Sequence, residues 1–355
     1  MKKEHILIIR FSAMGDVAMA VPVVYSLATQ YPDLRITVLS RKFARPFFDD
    51  LAPNVNFMEA DIKGEYRGIK GLNALYRRLT SKQFTMIADL HHVLRSDYLR
   101  MRFNIGHYRV EHLDKHRRQR RALVAYKNKV LKQLPTPFEN YADVLAKLGY
   151  PVTLEFRSLF PPEGGNLNLL PAIIGPKKNF EQWIGVAPTA AHPGKCYPTD
   201  RTRQVIEQLL QAHPRARIFL FGRGSEEHKL FTQWCELLPQ CVYVSQHLEN
   251  LHQELILMSH LDVMLSMDSS NMHLASLTAT PVVSVWGATH PYAGFMGWHQ
   301  PPENAIQADL DCRPCSIYGN RPCRRGDMAC MNLITPEQIT ARIEHIINPK
   351  NRTEV

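Results

Sequence analysis

The sequence predicts an α/β protein made of two doubly wound, Rossmann-like halves. Short apolar runs rich in β-branched residues recur along the chain, alternating with helical stretches, as buried parallel strands with crossover helices do. The alternation breaks once, in a stretch punctuated by proline and glycine, and then restarts. The length of 355 residues exceeds what one ordinary core holds.

In the first half, His5–Phe11 reads as a strand and Ser12–Gly15 as a loop. A helix is expected from about Asp16 through Val17, Val21, Val24 and Leu27, with Pro22 tolerated in its first turns. Arg35–Ser40, Asn56–Ala60 and Thr85–Leu90 read as further strands, with a helix around Leu72–Leu79. The pattern breaks near Pro151–Pro176. In the second half, strands are expected at Trp183–Ala187, Arg217–Gly222, Val242–Ser245, Leu261–Met267 and Pro281–Trp286. Helices are expected at Arg201–His213, Glu226–Leu238, Leu251–Ser259 and Ser269–Leu277. Pro336–Ile347 is a last helix with Thr335 as its N-cap. The expected organisation is an N-terminal domain over 1–160, a linker over 161–182, a second domain over 183–335, and a C-terminal helix over 336–347.

Composition narrows the function classes. The hydrophobic share of 45% and charged share of 21% are those of a globular protein. No apolar run reaches the ~18–20 residues of a membrane span. Lys2-Lys3 and the run after them imitate a signal peptide until Arg10 and Asp16 interrupt it, so a cytoplasmic location is expected. Lys and Arg outnumber Asp and Glu by 43 to 33, a formal +10, which favours anionic partners. The fingerprint G-x-G-x-x-G is absent after the first strand, which argues against a nicotinamide-dependent oxidoreductase.

Several segments carry candidate chemistry. Asp16 follows Gly15 at the carboxyl end of the first strand, where ligands bind in such sheets; the alternative is a first-turn capping carboxylate. Asp268, Ser269, Ser270 and His273 sit at the start of a helix after a strand, an anion site by virtue of its unpaired N–H groups, or a plain Asp/Ser cap. Lys195 ends a loop of small residues and offers a point charge for phosphate. Residues 115–132 hold eight Lys and Arg and no acid. Within them Arg117, Arg118, Arg120 and Arg121 are candidates for an acidic headgroup or a phosphorylated acceptor; no nucleic-acid motif accompanies them. Cys312, Cys315, Cys323 and Cys330 include one C-x2-C pair; structural zinc, unligated thiols and disulfide or redox chemistry all remain open.

The segments ILIIRFSAMGDVAMAVPVV, GVAPTAAHPGKCYP and LSMDSSNMHLASLTATPVVSVWGATHP, with the tail CRPCSIYGNRPC…CMNLITPEQI, together resemble glycosyltransferase family 9, the lipopolysaccharide core heptosyltransferases. The resemblance spans nearly the whole chain. It implies a GT-B fold, two Rossmann-like domains facing across a cleft, with the last helix crossing back to the first. It implies inverting, metal-independent transfer of a heptose from an ADP-sugar to the inner core, with no cofactor required and peripheral contact with the inner membrane. The catalytic aspartate then matches Asp16, the phosphate lysine Lys195, and the donor-phosphate helix Asp268, Ser269, Ser270 and His273. The ribose-binding acid matches Glu226, with Glu227 as its rival. Ser270 departs from the glycine many members carry there. The same-fold alternative is a sugar-nucleotide epimerase or hydrolase; a non-catalytic basic protein that binds acidic membrane or nucleic acid is the other.

Overall fold

A computed structural model describes residues 4–348. The chain forms two compact units. One takes the chain up to His116 together with Pro135–Leu159; the other takes Arg117–Leu134 and the chain from Phe160 onward. The basic segment, expected in the N-terminal domain, therefore packs with the second unit.

The first unit is a five-stranded parallel sheet. Its elements are β1 (His5–Ile9), α1 (Met14–Ala18), α2 (Val21–Gln30), β2 (Arg35–Ser40), α3 (Arg45–Phe48), β3 (Val55–Glu59), α4 (Gly68–Thr80), β4 (Met86–Asp89), α5 (Leu94–Ile105) and β5 (Arg109–His112). The strand order is β3-β2-β1-β4-β5. The central strand β1 is buried throughout, which is why it reads as an unbroken apolar run. One core cluster gathers Leu7, Ile9 and Phe11 with Leu75, Leu79 and Phe103 from the covering helices. The single helix expected from Asp16 is two helices. Pro22 sits in the first turn of α2, where its missing N–H costs nothing, whereas inside one long helix it would remove a bond and clash. After α6 (Arg117–Leu123) of the second unit, α7 (Pro137–Lys147) returns to the first, capped by Thr136, whose hydroxyl accepts from Glu139 N–H.

The second unit is a six-stranded parallel sheet. It comprises β6 (Trp183–Ala187), α8 (Thr199–Ala212), β7 (Arg217–Leu220), α9 (Ser225–Leu237), β8 (Cys241–Tyr243), α10 (Leu251–Met258), β9 (Val263–Met267), α11 (Ser270–Leu277), β10 (Val282–Trp286), β11 (Ala305–Gln307), α12 (Ala329–Asn332) and α13 (Pro336–Ile347). The order is β11-β10-β9-β6-β7-β8. The last helix was expected to cross back to the first domain. Instead Ile339, Ile343 and Ile347 lie in the second unit's core with Val205, Ile206 and Leu209 of α8, so its apolar stripe is spent there. Thr335 caps it as expected, accepting from Gln338 N–H.

Both sheets reverse their direction of growth once. In the first, the chain builds outward through β2 and β3 and then resumes on the other side of β1 with β4. In the second, it builds through β7 and β8 and resumes beside β6 with β9. Such switch points open a crevice beyond the carboxyl ends of the strands, where ligands of doubly wound sheets bind.

Candidate active site

In the first unit, the switch point lies between β1 and β4, and Asp16 stands just beyond it. Its Oδ2 accepts from the Ala13 backbone N–H at 3.1 Å and meets Arg10 at 2.7 Å. The capping reading is thus realised, yet the side chain keeps 30% of its surface exposed. Arg10 is buried and reaches across to donate to the Leu90 carbonyl at the end of β4. Asp89 ends β4 fully buried and accepts from the His91 and His92 N–H groups, which fixes the turn there. His91 Nε2 lies 3.4 Å from Ser12 Oγ. Burial, reinforced by the Arg10 charge, pushes the His91 imidazole down to about 3, so it is neutral at physiological pH.

In the second unit, the switch point lies between β6 and β9, and the residues expected to hold the donor meet there. Lys195, from the loop after β6, pairs with Asp268, which directly follows β9, at 3.0 Å. Asp268 is nearly closed off at 4% side-chain exposure, whereas Lys195 keeps 17%. Ser269 is the N-cap of α11, its hydroxyl 3.2 Å from that of Ser266, and Ser270 opens the helix. His273 is buried within its first turns. Asp268 is thus the counter-ion of Lys195, a pairing that spacing alone does not reveal.

Glu226 and Glu227 separate cleanly. Glu226 is 84% exposed and meets the exposed Lys229 at 3.5 Å. Glu227 accepts from the Thr189 hydroxyl at 3.2 Å, on the loop that follows β6. Of the two, Glu227 is the one held at the β6 loop. A signal for this existed: Glu227 precedes Phe231 and Trp234 by four and seven residues, the spacing of one helical face, and both are buried.

The loop holding Lys195 is built by close backbone packing that the sequence reading missed. A Cβ on Gly194 would stand 2.7 Å from the Gly319 carbonyl oxygen, and one on Gly319 would stand 2.4 Å from Lys195 Cγ. Gly319 also has φ +74, so both conformation and space call for glycine. Ala288 N–H donates to Gly194 O, and Cys315 N–H to Ala288 O. The cysteine-bearing stretch therefore buttresses the Lys195 loop. Arg313 pins that stretch, its buried guanidinium donating to Trp286, Gly287, Thr289 and Ala308 carbonyls.

Cys312, Cys315, Cys323 and Cys330 line one cavity of about 570 Å³. All are free thiols, and among the described residues no group of three or more His, Cys, Asp or Glu side chains is arranged to hold a metal ion. Burial pushes Cys315 up, and Cys330 up to about 11. At Cys323 slight burial acts the same way but is outweighed by the N–H groups of Met328, Gly326 and Arg325, which hold it below the usual thiol value.

Only Arg117–Leu123 of the basic segment is helical. Arg117, Arg118 and Arg121 are exposed. Arg120 is committed locally, donating to the Tyr318 hydroxyl at 2.8 Å and lying over the Phe295 ring. Lys129 donates to the Asp311 and Arg313 carbonyls, each at 2.8 Å. Leu123 and Leu134 pack with Ala293. These contacts explain why the segment joins the second unit.

Two parallel doubly wound units, each with polar residues gathered at its switch point, make up a GT-B fold. The sequence pattern of glycosyltransferase family 9 (heptosyltransferase) matches residues 72–322, and the chain belongs to that family. The chain is 23% identical over 324 residues to the lipopolysaccharide core heptosyltransferase OpsX of Haemophilus influenzae, covering 89% of this chain and 85% of that one. Its fold is similar to that of a family 9 glycosyltransferase from Veillonella parvula, with TM-score 0.72, 18% identity and 98% of both chains covered. It is also similar to the ADP-heptose lipopolysaccharide heptosyltransferase II of E. coli, with TM-score 0.69, 19% identity, and 97% and 98% covered. Among the described residues no helix is long and apolar enough to cross a membrane.

Proposed function

We propose that this chain transfers a heptose from ADP-heptose to the inner core of lipopolysaccharide, with inversion at the anomeric carbon and without a metal ion. The observation that carries the reading is that Arg10–Asp16 and Lys195–Asp268 each stand at the switch point of a sheet in a family 9 chain. The donor and acceptor named for the E. coli and H. influenzae relatives supply the substrates.

A sugar hydroxyl is a weak nucleophile until its proton leaves. Asp16 takes that proton as the acceptor oxygen bonds to the anomeric carbon from the face opposite the diphosphate. The carbon–oxygen bond to ADP breaks, and ADP departs with the electron pair. Lys195 and the N-terminus of α11, with Ser269, Ser270 and His273, stabilise the charge that grows on the diphosphate. Asp268 holds the lysine in place. Glu227, rather than Glu226, binds the ribose. Arg117, Arg118 and Arg121 contact the anionic acceptor and its membrane on the cytoplasmic face. The cysteines have a structural part; elemental analysis of protein purified without chelator decides between a zinc ion, at about one per chain, and free thiols.

The test is Asp16→Asn, which keeps the shape and an acceptor for the Ala13 N–H. It should lower kcat by about 10²–10⁴ and leave ADP affinity nearly unchanged. Near-normal turnover would leave Asp16 as a capping residue only.

A further inference from the structure

We infer that Arg10 is the positioning residue of the proposed base: it fixes the Asp16 carboxylate at the floor of the first unit's crevice. The inference rests on Asp16 being that base. The helix that carries Asp16 has five residues, and its N-cap, Ala13, has no side chain to accept from the first turn. A helix of one and a half turns does not sustain itself, because nucleation is costly and each end leaves orphan groups. Something outside it must set the direction of its side chains.

Arg10 has the required rigidity. Its backbone N–H donates to Leu39 O at 3.2 Å, and its own carbonyl accepts from Ser40 Oγ at 2.6 Å, so the end of β2 holds it. Its NH1 donates to Leu90 O at the end of β4, and its NH2 meets Asp16 Oδ2 at 2.7 Å. The guanidinium lies 5.8 Å from the centroid of the Tyr141 ring on α7, and the Tyr141 hydroxyl donates to the Asp16 backbone carbonyl at 3.3 Å. One buried residue thus links β2, through its backbone, and β4, through its side chain, to the carboxylate, while α7 clamps both partners. Burial pulls the guanidinium down, but Asp16, Tyr141 and Asp89 outweigh it and leave it above the usual arginine value, so the charge that orients Asp16 is permanent.

A residue that acts through Asp16 loses its value when Asp16 is gone, and a double-mutant cycle reads that dependence. The full chain is assayed with ADP-heptose and a lipopolysaccharide core acceptor as wild type, R10M, D16N and R10M/D16N, with thermal unfolding as the folding control. R10M should lower kcat about 10–100-fold with the donor KM little changed, the size expected when a reacting group is misplaced by about 1 Å. Added to D16N, the same change should cost no more than about twofold. R10K, which keeps the charge but not the fork, should fall between R10M and wild type, and it replaces R10M in the cycle if R10M does not fold. An equal loss in both backgrounds would overturn the inference, because Arg10 would then act independently of Asp16. Near-normal turnover of D16N is a separate outcome: it removes the base itself.

Discussion

Replacing Lys195 with methionine separates two roles that one lysine plays. In the folded chain Lys195 neutralises Asp268 at 3.0 Å, and the carboxylate is almost wholly enclosed. Removing the lysine leaves a buried charge without its partner, which typically costs about 3–5 kcal/mol. Because Lys195 itself retains some solvent contact, the lower end, about 3 kcal/mol, is the expected loss. The proposed phosphate contact is a separate quantity. A hydrogen bond to a charged group contributes about 1.5–3 kcal/mol, or roughly 10–100-fold in Kd. Urea denaturation and calorimetric titration with ADP measure the two independently. K195M should lose both stability and ADP affinity. K195M/D268N removes the orphan carboxylate and should recover most of the stability while ADP affinity stays low. If the double variant recovered affinity as well, Lys195 would be no more than the partner of Asp268, and the diphosphate would have to be held elsewhere.

E227Q should weaken ADP-heptose binding by about tenfold while E226Q stays within about twofold, since only Glu227 is tied to the β6 loop; calorimetry on both decides it. R117Q/R118Q/R121Q should weaken binding to anionic vesicles by about 100-fold at low salt, from about 1 kcal/mol per charge, and raise the acceptor KM without changing the donor KM; vesicle sedimentation at unchanged affinity would refute the surface. H91Q should flatten the acid sensitivity of folding. His91 titrates near 3 when folded and near 6.5 when unfolded, so between those values the unfolded chain binds the extra proton and stability falls as pH falls. The loss from pH 6.5 to 5 is about 1.5 kcal/mol in the wild type, and urea midpoints at the two pH values should show it disappear in H91Q.

The parts of this fold that can be read from the chain are those whose signal is local. Strands β1, β2, β4, β6, β9 and β10 announce themselves because burial on both faces demands continuous apolar runs. Strands β5 and β11 do not. Each lies at a sheet edge, and the four residues of β5, Arg-Val-Glu-His, are only half buried, so neither leaves an apolar run to find.

The site divides along the same line. Asp16, Lys195 and the Asp268–His273 turn are visible because each follows a strand, and a doubly wound sheet places strand ends at its binding edge. What joins them is not local. Arg10, at first only the charge that ended an apolar run, meets Leu90 eighty residues away, and Lys195 meets Asp268 seventy-three residues on. Arg120 and Lys129 bond to partners more than 180 residues distant, so their positive charges, counted in sequence as surface, are spent as internal staples. Charge at a position says which interactions are available to a residue; only the folded neighbourhood says whether a ligand or the protein itself uses them. The exposed Arg117, Arg118 and Arg121, left over after the staples are subtracted, are for that reason a stronger candidate surface than the eight-charge segment from which they come.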